Sequence, residues 1–101
     1  MNDVKGKKMF IFMSPVSINR AYILDLDNDK VLFRESFRLI KNNLPDNVKQ
    51  AINENEVTEV QFIGGHSYCE KFAKQLLTHY DNKIHVTIKE HKVYEISDIG
   101  C

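Results

Sequence analysis

The chain has 101 residues, with 14 basic and 14 acidic side chains and 43% hydrophobic content. That bounds it to one domain with one modest core, of ordinary soluble composition. A net charge of zero weighs against a general nucleic-acid coat or a membrane-surface binder, which carry a basic excess, but it permits a local basic patch.

No apolar run approaches the roughly 20 residues of a membrane-spanning helix. Residues 1–8 are polar, and the apolar run behind them stops at Met13, too short for a secretory signal and with no small-residue cleavage site after it. Cys69 and Cys101 are the only cysteines, one just inside an expected helix and one at the last position. Two reduced thiols in a cytosolic protein fit better than a structural disulfide.

Residues 1–7 read as a disordered N-terminus. Lys8–Met13 is a continuous apolar run of strand length, suited to a strand buried on both faces. Pro15 breaks it and Ser14–Ser17 makes a loop. Ile18–Leu26 alternates, with Ile18, Arg20, Tyr22, Leu24 and Leu26 on one face and Asn19, Ala21, Ile23 and Asp25 on the other. Asp27–Lys30 is turn chemistry, and Val31–Phe37 alternates again.

The period then changes. Pro45 suits the first turn of a helix, Asp46 favours the positive end of its dipole, and the helix runs to about Asn55 on Val48, Ala51 and Ile52. Val57–Ile63 is a fourth strand. Ser67–Tyr80 carries the widest apolar stripe of the chain: Tyr68, Phe72, Ala73, Leu76, Leu77 and Tyr80, opposite Lys71, Lys74, Gln75 and Thr78. Ser67 and Glu70 have the spacing of a capping box at its start. Ile84, Val86 and Ile88 mark a fifth strand, and residues 91–101 read as a docked or flexible tail. The pattern predicts an α+β fold over residues 8–90: a mixed five-stranded sheet made of a three-stranded meander followed by two helix crossovers, which are right-handed in nearly all proteins.

This order, with Lys8–Ser17 opening the sheet and Ile63-Gly64-Gly65 closing its fourth strand, resembles the ribonuclease H-like fold. The resemblance implies that the first and fourth strands are neighbours. In active members both strand ends carry carboxylates for divalent metals. Here Met13 or Ser14 and the glycine pair stand in those places, so metal-dependent nuclease chemistry is not expected and no cofactor is implied.

Several constellations invite chemistry. Asp25, Asp27 and Asp29 alternate as in a calcium loop, but Lys30 stands where the glycine belongs and Ser36 where the closing glutamate belongs, which leaves a hydrophilic turn. His66 and Cys69 sit close together at a helix start, a poor geometry for a nucleophile and its base; Cys69 reads as a small buried residue beside Ala73. His66, His79, His85 and His91 include no pair with zinc-module spacing.

Two sets remain. Arg20, Arg34, Arg38 and Lys41 converge if their strands pair, giving a basic strip beside Tyr22 or Phe37 for a phosphate backbone or an acidic protein; the bland alternative is a face salted with Glu35 and Asp25 for solubility. Ser14 and Ser17, with Gly64, Gly65, His66 and Ser67, gather at the carboxyl ends of two strands, where an exposed helix start attracts phosphate; the bland alternative is plain turn chemistry.

The sequence thus predicts a non-enzymatic interaction or regulatory module with no catalytic set, binding a protein or a nucleic acid, including the kind of accessory protein mobile elements encode. A small-ligand or nucleotide-phosphate binder is the second reading. Pairing of an exposed edge strand offers a route to a homodimer.

Overall fold

The computed structural model describes residues 6–14, 18–39, 43–80 and 83–90. Ser17, Lys41, the N-terminal residues 1–5 and the tail 91–101 lie outside the described residues. Seven elements follow in chain order: β1 (Lys7–Phe12), β2 (Asn19–Asp25), β3 (Lys30–Phe37), α1 (Asp46–Glu54), β4 (Glu59–Gly64), α2 (His66–His79) and β5 (His85–Glu90). The strands form one sheet in the order β3-β2-β1-β4-β5. β1–β2 and β2–β3 pair antiparallel, whereas β1–β4 and β4–β5 pair parallel. The fold is therefore α+β with a mixed five-stranded sheet and two helices, as the sequence pattern predicts.

Both helices cover the same face. Met9, Ile11, Ala21, Ile23, Val60 and Phe62 are fully buried, and they share one core with Val48, Ala51 and Ile52 of α1 and Cys69, Phe72, Ala73 and Leu76 of α2. This corrects the expectation that β1 is buried on both sides. Its even-numbered residues turn the other way: Phe10 is half-buried and Phe12 is 43% exposed. An apolar run alone does not distinguish a strand covered twice from one covered once, because large side chains also populate open sheet faces.

The helix ends also differ from the sequence reading. Pro45 is the N-cap of α1 and not a residue of its first turn; its backbone is extended, and its carbonyl accepts from the Val48 and Lys49 N–H groups. At the other end the Val57 N–H bonds the Ile52 carbonyl and the Glu56 N–H bonds that of Asn53, a Schellman closure with Glu56 at φ 56°. α2 begins at His66 with Gly65 as its N-cap and no side-chain cap, so the Ser67–Glu70 capping box does not form. The reason is β4. Its pairing with β5 continues to Gly64, opposite Glu90, and the chain turns into the helix at once, with the Cys69 N–H already bonded to the Gly65 carbonyl.

The β2–β3 turn is held by one carboxylate. Asp25 accepts from the backbone N–H groups of Asp27 (3.1 Å) and Asn28 (3.3 Å) and from the Asn28 side-chain amide (2.9 Å). These bonds, the Asn28 side chain foremost, pull the Asp25 carboxyl below its ordinary value against the opposing effect of burial. Beyond the turn the register shifts between Ile23 and Leu24: Ile23 faces Phe33 and Leu24 faces Val31, so Leu32 is an extra residue on β3, a bulge.

Leu76 is fully buried and Lys74 is exposed on the opposite side of α2. Leu76→Ala should lower stability by about 2–5 kcal/mol, and Lys74→Ala should be nearly neutral. Denaturant titration of both variants measures this, and equal small losses would mean the helix is turned the other way.

A depressed folded pKa also fixes a sign. The Asp25 contribution is complete above the unfolded value of about 3.9 and disappears as pH falls through the lower folded value. Denaturant midpoints followed down from pH 5 should therefore fall less steeply in Asp25→Asn than in the wild type; parallel curves would refute the assignment.

Candidate functional site

Strand pairing lays out the face opposite the helices residue by residue. One row across the sheet reads Ser36, Arg20, Phe12, Ile63, Lys89; the next reads Arg34, Tyr22, Phe10, Gln61, Thr87. A third row brings Leu24, Lys8, Glu59 and His85 side by side. Directly paired residues point to the same side of a sheet, so these side chains share one surface. Phe10, Phe12, Arg20, Tyr22, Leu24 and Gln61 line a broad open basin of about 760 Å³ there, closed on the β4–β5 side by Ile63 and Lys89.

Three aromatic rings occupy the middle of this surface. Phe12 and Tyr22 meet edge to face, with centroids 5.7 Å apart and planes at 85°. The Lys8 ammonium lies 5.0 Å from the centre of the Phe10 ring and 3.3 Å from Glu59. Arg20 and Arg34 lie on the β2–β3 side of the rings and Lys89 on the β5 side. Four cations thus stand against one carboxylate on a chain of zero net charge.

Arg20 and Arg34, singled out from the sequence, come to the same face in adjacent rows, and both are exposed. Arg38 is exposed just beyond β3. The solubility reading of the strip fails on geometry, because Asp25 and Glu35 belong to the helix side of the sheet: Asp25 is buried, and Glu35 pairs with fully buried Ala21. Phe37 is buried on that side too, which leaves Tyr22 as the strip's aromatic neighbour. Sequence reasoning missed Phe10, Phe12, Gln61 and Lys89. The continuously apolar run Met9–Phe12 carries no signal for which of its faces is covered; that follows from both helices lying on one side of the sheet.

At the carboxyl ends of β1 and β4, Met13 lies beside Ile63 and Gly64. The Met13 N–H bonds the Ile63 carbonyl at 2.9 Å, and the Ser14 N–H bonds Asn19 Oδ1 at 2.7 Å. Gly64 is glycine for packing: a Cβ there would lie 2.8 Å from the Met13 carbonyl oxygen and 3.1 Å from Cys69 Sγ. Gly65 has open space around it and an ordinary φ of −64°, so no positive φ reserves that position for glycine. His66 and Ser67 are exposed in the first turn of α2. Cys69 is fully buried, and burial pushes its thiol up, which keeps it protonated and withholds the thiolate a nucleophile needs. Among the described residues no group of three or more His, Cys, Asp or Glu side chains stands together to hold a metal ion, and no helix is long and apolar enough to cross a membrane.

A second, shallower hollow of about 460 Å³ lies on the helix side, bounded by Lys49, Lys71, Lys74 and His79. Lys71 is drawn over the Tyr68 and Phe72 rings, 5.7 and 5.4 Å from their centres. Phe72 itself is fully buried and Tyr68 half-buried, and His79 is the one ring among the residues that line this hollow.

No family model matches the chain, and no curated protein does. Among solved structures it is similar to Archaeoglobus fulgidus Pelota, described in a crystal structure that reveals inter-domain structural plasticity. The TM-score is 0.61 at 10% sequence identity, over 91% of this chain and 28% of that one. The likeness concerns the fold alone, and this chain spans little more than a quarter of that protein's length.

Gly64 and Gly65 should respond oppositely to side chains. Gly64→Ala drives a methyl group into backbone and should lower stability by about 1–3 kcal/mol. Gly65→Ser supplies a capping hydroxyl to α2 and should be neutral or stabilising by a few tenths of a kcal/mol. Thermal melts of the two variants decide it, and a tolerated Gly64→Ala would disprove the close approach.

Proposed function

We propose that this chain is a non-enzymatic binding module that takes up nucleic acid on the open face of its sheet. The observation that carries the reading is the central group of Phe10, Phe12 and Tyr22 with Arg20, Arg34 and Lys89 along its margins. Aromatic rings give bases a surface to rest on, and flanking cations neutralise the phosphates. Contiguous large apolar side chains left uncovered beside a charge excess are a mark of an interaction surface. The ribonuclease H-like assignment belongs to the same proposal: a binding derivative of that fold, cytosolic, with Met13, Ser14 and Gly64 where metal-holding carboxylates stand in active members.

The helix start at Gly65–Ser67 is the weaker reading, because packing against Met13 and Cys69 already accounts for Gly64. The lysine-lined hollow on the helix side would attract an anion, but His79 is the one ring among its lining residues, against three rings on the sheet face.

Fluorescence anisotropy with short labelled oligonucleotides tests the proposal. Binding should weaken as salt is raised. Arg34→Glu and Arg20→Glu should each weaken it and flatten the salt dependence, by about one unit of slope for each phosphate no longer neutralised. Lys74→Glu, on the helix side, should leave it unchanged. Absence of binding at about 100 µM protein in low salt, the weak end of ordinary non-specific affinity, would overturn the proposal. So would binding abolished in Lys74→Glu and kept in Arg34→Glu.

A further inference from the structure

We infer that the ligand of the open sheet face is a single strand whose bases lie on Phe12 and Tyr22, and not a duplex; the inference rests on the nucleic-acid reading above. Duplex recognition needs an element that enters a groove, and the major groove admits a helix or a two-stranded ribbon. The surface here is a five-stranded sheet, about 19 Å from its first strand to its last, with its rings at the middle and not at an edge. A duplex laid on it would present phosphates to phenylalanines. An unpaired strand presents the flat faces of its bases, and aromatic groups on open sheets stack two or three of these.

The ring geometry supports the same conclusion. Phe12 and Tyr22 stand at 85° to each other, so they offer two separate faces and not one continuous stack. That suits bases splayed from an unstacked strand. Arg20 lies directly opposite Phe12, and Arg34 directly opposite Tyr22. The two guanidinium groups therefore belong to successive rows, about 7 Å apart along the strands, each beside one ring. A strand running down this margin places one phosphate by each arginine and turns one base inward over each ring.

Base identity has little to read it. Between the rings and Lys89 the polar side chains are Gln61 and Thr87, and the Thr87 hydroxyl is buried without a hydrogen-bond partner. Binding should therefore depend on strandedness far more than on sequence.

Anisotropy titrations with a labelled 12-mer, its duplex, and ribose and deoxyribose versions test this on the full chain. The single strand should bind at least tenfold more tightly than the duplex. Phe12→Leu keeps an apolar side chain at an exposed position and should weaken single-strand binding about tenfold without lowering the melting temperature, whereas Phe12→Tyr should restore it. If the duplex binds as tightly, or if Phe12→Leu binds normally while Arg34→Glu does not, the face is a phosphate-binding surface only; this inference then fails and the nucleic-acid proposal stands. If no oligonucleotide binds and polyglutamate does, both fail, and the face belongs to an acidic protein.

Discussion

The parallel pairing of β1 with β4 is the joint on which the rest of the molecule depends. It unites an antiparallel meander with a strand–helix–strand unit, and neither half has a core without the other. Met9 and Ile11 from one strand and Val60 and Phe62 from the other are all fully buried, at the centre of the only helix-covered face among the described elements. Truncating any one of these side chains removes on the order of 2–5 kcal/mol, a large share of what a domain this size possesses. The seam is secured at both ends: the half-buried Lys8–Glu59 ion pair at its start, and at its finish the Met13–Ile63 hydrogen bond with Gly64 pressed against the Met13 carbonyl.

That seam also decides which face is the inside. β2 taken alone points the other way, since Tyr22 and Leu24 face outward while Asn19, Ala21, Ile23 and Asp25 face the helices. The two polar residues are tolerated because each sits at a strand end with its oxygens engaged, Asn19 by the Ser14 N–H and Asp25 by the β2–β3 turn. The outcome is a sheet whose uncovered surface is apolar at its centre and basic at its margins. Both helices pack on the other side, so among the described elements no helix covers this one.

Much of this is legible in the sequence. Alternation in residues 18–37 and 84–88 and the 3.6-residue stripe of α2 specify strands and helix through local period, which is why the element order, the burial of Phe72 and Leu76 and the turn after Asp25 follow from the residues alone. The capping box and the two-sided burial of β1 fail for a shared reason. Each depends on what lies across in space: β4 runs on to Gly64 because Glu90 is there to pair with it, and Phe12 is uncovered because both crossovers return over the same side. The basic strip is half visible, since Arg20 and Arg34 lie on consecutive strands. Its aromatic half needs the strand order, which places β1 between β2 and β4.

The bulge at Leu32 has a consequence for self-association. An edge strand of eight residues is a template for another chain to extend the sheet, and β3 is such an edge. The extra residue interrupts the regular spacing of donors and acceptors along that border and adds local twist, and Lys30, Arg34 and Glu35 place charged side chains along it. Leu32 and Val31, exposed at 37% and 60%, are therefore carried on a border whose pairing pattern is broken between them and Phe33. Deleting Leu32 would leave β3 as an unbroken row of backbone donors and acceptors, the form of edge most open to pairing with another chain.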